Sequence, residues 1–571
     1  MNTIINFQRK HPLLSIYLFL VYFSLVPQIL VAITSFSGIT GIRDTLLMTT
    51  IWLVPFVIWP RQTAIISAFL GFLLGFLSLG SLGYWLIYKQ EMSQSVFFIV
   101  LESNVQEMSE FISSYMRWWY PLVFIAYLIP PLIFWSCLRK LDFQIGPKLR
   151  SIIVASAFLV IVTPVITTTM NKDLKAGIRH LGDRLEPTTP WNMVIGYLKY
   201  RDQLADMQKL LNEADKLPPL DHLTESNSSQ PKTVVLVIGE SENRQRMSLY
   251  GYPRKTTPLL DEMYEKQPDS LYVFRDVVTP RPYTIEALQL ILSFGDSTHP
   301  EAATNAPNLL MMMKQAGYHI TWITNQQTQT KRNTMLTTLS QMADKQIYLN
   351  NNRRQDTDHH DEVVLTPFEN ALKSHAGEKK MIVVHLIGSH RKYNYRYPKS
   401  YEVYTDRNQM PDWVPEEDVD PYNNYDNSVR YNDMIVSSLI QDLDHVGESA
   451  SLLYLSDHGE EVYDTADAIF SGRNEADPTP AMYTVPFLIW VNDKYKTQQD
   501  TSHWEQYLDR PYSSTDLIYT WADLVGLDFD QKDTSRSILS ENFHPSPRWI
   551  GDPLMPKSLR TFDSISNQDQ P

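Results

Sequence analysis

Thr233-Val-Val-Leu-Val-Ile-Gly-Glu-Ser241 is an unbroken apolar run, largely β-branched, that ends in Gly and Glu. A strand with one wet face alternates apolar and polar residues. A run without alternation is a strand buried on both faces, as in a parallel sheet covered by helices. Similar runs recur at His319–Thr324, Met381–Ile387, Leu452–Ser456 and Val485–Val491, separated by helix-patterned segments. That alternation predicts an α/β fold with a mostly parallel sheet.

In such sheets ligands sit at the carboxyl ends of the strands, and the polar residues there form a consistent set. Glu240 follows the first strand, Gly388-Ser389-His390 the third and Asp457-His458-Gly459-Glu460 the fourth. Carboxylates and imidazoles converging from separate strands suit a divalent metal, zinc in particular, because zinc accepts oxygen and nitrogen ligands together. Pro280-Arg-Pro-Tyr-Thr284 supplies a candidate nucleophile where a proline-rich loop enters an amphipathic helix. A hydroxyl there meets free backbone N–H groups and the positive end of the helix dipole, which favours its alkoxide and a bound phosphate. The competing reading makes Thr284 a plain helix cap.

Outward from this core the composition changes. The 571 residues carry 50 Lys and Arg against 64 Asp and Glu. Residues 1–170 hold 10 basic and 6 acidic residues, so 171–571 hold 40 and 58, a net of −18. A soluble part this acidic repels phosphate backbones, which argues against nucleic-acid binding. The single cysteine, Cys137, excludes a disulfide framework.

Five apolar stretches fill the first part: Leu13–Phe36, Leu46–Pro60, Thr63–Tyr88, Tyr120–Leu138 and Ser151–Met170. Crossing a bilayer takes about 20 apolar residues, so four are long enough and the second is short. The first is too long for a cleaved signal peptide and lacks a small-residue cleavage site. Arg9 and Lys10, Arg61, and the group Arg139, Lys140, Lys148 and Arg150 mark the cytoplasmic loops by the positive-inside rule. The rest of the chain then lies outside, in the periplasm of a Gram-negative cell, anchored in the inner membrane. Residues 94–115 mix apolar and acidic residues at helical spacing, as a helix lying at the interface would; Ser103 and Glu107 face head groups or solvent there. Trp191–Leu217 is helix-patterned, Pro218-Pro219 stops it, and 224–231 is a polar linker. The expected organisation is a transmembrane domain over 1–170, a bridge over 171–231 and a catalytic domain over 232–571.

Val237-Ile-Gly-Glu-Ser-Glu-Asn-Arg-Gln-Arg-Met-Ser-Leu-Tyr-Gly-Tyr-Pro-Arg-Lys-Thr-Thr-Pro258, with Ser456-Asp-His-Gly-Glu-Glu461 and His385-Leu-Ile-Gly-Ser-His390, resembles the membrane phosphoethanolamine transferases of the alkaline phosphatase/sulfatase superfamily. The Arg-Pro-Tyr-Thr loop and the lack of disulfides are most similar to the branch that decorates heptose in the lipopolysaccharide core. The resemblance implies five membrane helices and a sulfatase-like domain. It implies zinc held by Glu240, Thr284, Asp457 and His458, with Thr284 as nucleophile and His390 near the transferred phosphate. It implies polar substrate contacts from Asn325, Gln326 and Lys331, and donor head-group contacts from Ser103 and Glu107. The donor would be phosphatidylethanolamine, the acceptor lipopolysaccharide, and the intermediate a phosphoethanolamine ester of Thr284.

Two departures stand out. Positions where relatives carry loop cysteines are Pro280 and Leu290, so rigidity is expected from proline and packing. A histidine that relatives carry has no counterpart in Glu460–Trp490; Arg473 and Asn474 are the candidate replacements. Two other readings stay open at this point: a phosphoglycerol transferase acting on a periplasmic glucan, and a non-catalytic lipid sensor of the same architecture.

Overall fold

The computed structural model describes residues 2–34, 40–88, 116–170, 173–198, 201–202, 205, 216–226, 232–327, 339–350, 360–466, 471–555 and 558–566. They fall into two units, one formed by the described residues up to 202 and one by those from 205 onward. The expected interface helix with Ser103 and Glu107, and Lys331, lie outside the described residues.

The first unit contains five helices long and apolar enough to cross a membrane: Pro12–Ile33, Gly41–Ile58, Pro60–Ile87, Tyr120–Leu138 and Pro147–Thr169. Four match the apolar runs. The second begins five residues before the expected Leu46, because the charges that ended the run are neutralised within the fold. Asp44 is buried and accepts hydrogen bonds from Arg43 at 2.9 Å and Arg184 at 2.8 Å. Arg184 lies on a further helix, Leu174–Leu185, which packs against Pro147–Thr169. Gly177 permits the close approach; a Cβ there would lie 2.4 Å from Thr169 Oγ1 and 2.7 Å from the Val165 carbonyl.

The second unit is built on a seven-stranded sheet: β1 (Lys232–Gly239), β2 (Leu271–Val273), β3 (His319–Gln327), β4 (Lys345–Asn350), β5 (Lys380–His385), β6 (Ser449–Ser456) and β7 (Phe487–Val491), in the order β2-β7-β6-β1-β5-β3-β4. Strands β6, β1, β5, β3 and β4 run parallel, and β7 is antiparallel to both its neighbours. The unbroken run of β1 is accounted for by its two faces. Val234, Leu236 and Ile238 enter one core with Ile285, Leu288 and Trp521. Val235 and Val237 enter the other with Tyr431, Ile435 and Leu439. The register sets Gly239 beside Ser456 and Ile238 beside His385, so the ends of β1, β5 and β6 stand level.

Two anchors lie away from these ends. At the opposite end of the sheet the Glu225 side chain, 4% exposed, accepts from Lys232 at 2.9 Å, Lys379 at 2.8 Å and Tyr318 at 2.6 Å, while Thr224 and Glu225 pair antiparallel with Leu527 and Asp528. In the segment after β1, the buried Arg246 and Arg254 both bind Asp426 of the long helix Val419–Asp444, Arg246 stacking 3.7 Å from the Tyr422 ring centroid. Much of the 237–258 motif therefore serves as scaffold.

Candidate active site

Glu240 leaves β1, Asp457 and His458 leave β6, and Thr284 opens the helix Thr284–Ile291. All four are buried. Ligand atoms of Glu240, Asp457 and His458 lie within 4.8 Å of one another. His458 Nε2 is 3.2 Å from Glu240 Oε1 and 3.4 Å from Asp457 Oδ2. The imidazole is oriented through its other nitrogen: Nδ1–H donates to the Gly459 carbonyl at 2.9 Å, which turns the Nε2 lone pair toward the carboxylates. Asp457 Oδ1 accepts from the backbone N–H groups of His458 and Ser241, at 2.7 and 3.2 Å. Its Oδ2 is buried and meets no hydrogen-bond donor among the described residues. Thr284 is not a side-chain cap; Tyr283 takes the cap position, and Thr284 Oγ1 donates to Glu240 Oε2 at 2.9 Å.

The electrostatics fit a cation. Burial disfavours charge on Glu240, but His458, with His390 and Arg473, holds its carboxyl well below the usual carboxylate range. Burial and the Glu240 charge push the Asp457 carboxyl up to about 7. Two carboxylates this close compete for ionisation unless a positive ion joins them. One nitrogen and two carboxylate oxygens, an oxygen with no donor and an adjacent hydroxyl make the open three-ligand set of a catalytic zinc site.

Around this cluster the predicted residues separate. Arg473 Nη1 donates to His458 Nε2 at 2.5 Å and lies 3.8 Å from Glu240, and its Nε is 3.0 Å from Glu460. Gln326 Nε2 donates to the Leu386 carbonyl at 2.8 Å and reaches Glu240 Oε2 at 3.4 Å. His390, half-buried, donates from Nδ1 to the Arg391 carbonyl at 2.9 Å. Asn325 is fully buried and its amide donates to Asp361 at 2.9 Å, a bracing contact. Asn474 is also buried and accepts from the Ala476 amide, shaping the turn after Arg473.

Residues 232–527 match the sulfatase family. The chain is 44% identical over 554 residues to phosphoethanolamine transferase EptC of Escherichia coli O18:K1:H7, covering 96% of this chain and 95% of that one. It is 43% identical over 552 residues to phosphoethanolamine transferase CptA of Salmonella typhimurium, with the same coverage. The chain belongs to the phosphoethanolamine transferases of the sulfatase family. Its fold is similar to the crystal structure of the C-terminal periplasmic domain of E. coli EptC in complex with Zn, at 47% identity and a TM-score of 0.59 over 62% of this chain and 99% of that one. It is also similar in fold to the integral membrane protein lipooligosaccharide phosphoethanolamine transferase A of Neisseria meningitidis, at 20% identity and a TM-score of 0.62 over 93% of this chain and 99% of that one. This family member is a multi-pass membrane protein.

One feature of its site escaped sequence reading. The loop before Thr284 is held by Arg281, whose buried guanidinium binds Glu475 through Nε at 2.5 Å and Nη2 at 3.0 Å, and lies 3.5 Å from Asp552. The backbone adds to this: Thr279 Oγ1 donates to the Asp457 carbonyl at 2.6 Å, tying the loop to the end of β6. Proline and packing were the expected source of rigidity; a bidentate ion pair supplies much of it. Its partners lie 194 residues apart, and neither shows a local signal. Glu460, which the sequence placed at the same strand end without a role, is bound by the Tyr393 hydroxyl at 2.9 Å and faces Arg473.

Proposed function

We propose that the protein transfers phosphoethanolamine from phosphatidylethanolamine to lipopolysaccharide, at core heptose, through a covalent ester on Thr284. The observation that carries this is the Thr284 hydroxyl held at 2.9 Å by a carboxylate of the three-ligand cluster. Glu240, Asp457 and His458 hold zinc, with Thr284 beside them. The ion, when bound, polarises a phosphate oxygen and lowers the pKa of the Thr284 hydroxyl. Glu240 Oε2 accepts a hydrogen bond from the Thr284 hydroxyl and aims its oxygen. That oxygen attacks phosphorus, the bond to the diacylglycerol oxygen breaks, and the leaving alkoxide takes up the proton that Thr284 gives up. In the second half a sugar hydroxyl attacks phosphorus, the bond to Thr284 breaks, and His390 accepts the hydroxyl proton, which returns to the Thr284 oxygen. Arg473 offers N–H donors to the phosphate. Ser103 and Glu107 hold the donor head group.

Donor and acceptor are both lipids, and the membrane spans tether the catalytic unit to the bilayer that contains them, in the inner membrane with the catalytic unit in the periplasm. That raises the effective concentration of both substrates. Mass spectrometry of lipopolysaccharide from cells with and without the gene tests the reading. One phosphoethanolamine on the core, present only with the gene and absent with Thr284→Ala, is expected. Unchanged lipopolysaccharide would overturn it.

A further inference from the structure

The segment Ile387-Gly388-Ser389-His390 leaves β5 beside the Glu240 end of β1 and delivers His390. It approaches so closely that only glycine fits at 388. A Cβ there would lie 2.6 Å from the Glu240 carbonyl oxygen and 2.8 Å from its nitrogen, and φ is +49°. The Ser389 amide donates to that carbonyl at 2.9 Å.

Three ionisable side chains brace this segment. Asp361, buried and reached from another part of the chain, accepts from the Ile387 amide through Oδ1 at 3.0 Å and from the Gly388 amide through Oδ2 at 2.9 Å. Its Oδ1 also accepts from Asn325 at the end of β3. Glu242, fully buried, accepts from Ser389 Oγ at 2.8 Å, and Ser389 in turn accepts from Ser428 of the long helix at 2.8 Å. Arg396 donates to the His390 carbonyl at 2.7 Å. A loop could be closed with fewer buried polar groups, and a carboxyl that uses both oxygens on consecutive amides fixes direction as well as place.

We propose that Asp361 is a positioning residue for phosphoryl transfer, which fixes the Ile387–His390 segment against Glu240 so that the His390 imidazole is aimed at the reacting group. The proposal rests on the transferase reading above and deepens it. Asp361 touches no substrate in this account. Its contribution passes through His390, because an acid–base group displaced by a fraction of an ångström loses its in-line geometry.

The test is a double-mutant cycle in the full-length, zinc-loaded enzyme with phosphatidylethanolamine in mixed micelles. Asp361→Asn keeps the volume but turns an amide N–H against a backbone N–H. Its kcat is expected to fall by about 10- to 100-fold, with KM for the lipid unchanged within about twofold and zinc content, by elemental analysis, equal to wild type. In a His390→Ala background the same substitution should lower kcat by no more than about twofold, since the segment no longer carries the group it aims. Ser389→Ala, a gentler change, should follow the same pattern with a drop of roughly two- to fivefold. Effects that multiply in full in the double variants overturn the proposal, as does loss of zinc in step with loss of activity. A wild-type enzyme that releases no diacylglycerol would instead overturn the transferase reading, on which the proposal depends.

Discussion

The two ends of the central sheet treat buried charge in opposite ways. At one end Glu225 is enclosed by Lys232, Lys379 and the Tyr318 hydroxyl, and burial is outweighed by these partners, which hold its carboxyl below the usual range. At the other, Glu240 and Asp457 meet across His458, and Asp457 keeps an oxygen without a donor. The first arrangement is complete and does nothing further. The second is incomplete as protein alone, and that incompleteness allows it to take a cation and do chemistry. Substitutions at the two ends should therefore separate activity from stability.

The largest effect is expected at Thr284. Thr284→Ala should bring transfer down by on the order of 10³-fold or more, with the melting temperature nearly unchanged, since a lost hydrogen bond costs about 1 kcal/mol. Substantial residual transfer in a purified, folded variant would remove Thr284 as nucleophile.

At the opposite end the outcome reverses. Glu225→Ala leaves Lys232 and Lys379 without their carboxylate, and breaking a buried pair costs about 3–5 kcal/mol. Urea denaturation should show that loss, while specific activity per folded molecule and zinc content stay at the wild-type value. If activity per folded molecule fell with stability, the two ends would not be independent and the contrast would fail.

Between these lies Arg281. Arg281→Lys keeps a charge near Glu475 but cannot form the two-pronged contact. The Thr284 loop loses its tether, so a drop of about tenfold in kcat is expected without loss of zinc. A rate equal to wild type would show that proline and packing are enough to hold the loop.

The parts of this organisation that sequence reading reached are those with a local signature. The β1 run, the level strand ends and the residues just past them, Glu240, Asp457 and His458, follow from periodicity and the rule for parallel sheets. Four of the membrane spans follow from length and hydropathy. The rest depends on contacts that no local pattern encodes. The second span was read as short, from Leu46 on; it starts earlier, and Arg184, 140 residues away, pairs with the Asp44 inside it. Residues 224–226 read as polar linker, but Glu225 finds its lysines on β1 and beside β5. Asn325 stands at a strand end and read as a substrate contact; its amide is spent on Asp361. The edge strands β2 and β4 were missed, β2 because three residues carry no period and β4 because Lys345–Asn350 is polar at both ends.

The smallest expected effect is a pH dependence, and its sign follows from Asp457. Burial and Glu240 raise its carboxyl to about 7 in the metal-free fold, against about 3.9 in an unfolded chain. Between these values the folded state holds a proton that the unfolded state has lost, so the contribution to stability is complete below about pH 4 and is lost as pH rises to about 7. For one group that slope is at most about 1.4 kcal/mol per pH unit. Glu242, Asp433 and Asp516 are also raised by burial, to about 8, 7 and 6, and lean the same way, so the metal-free slope alone does not single out Asp457. Zinc narrows this to its own ligands, because it requires an ionised Asp457 and a neutral His458, whose imidazole Asp457 holds above its usual value despite burial, and it competes with both protons. The rise in melting temperature on adding zinc to chelated protein should therefore be larger at pH 7.5 than at pH 5.5. In Asp457→Asn both the rise and its pH dependence should shrink, while Asp433→Asn should leave them intact. Differential scanning calorimetry of the three proteins at the two pH values reads this directly. A zinc-induced rise of equal size at both, or one that survives in Asp457→Asn, would mean that the cation is held elsewhere and that the two ends of the sheet differ only in how their charges are paired.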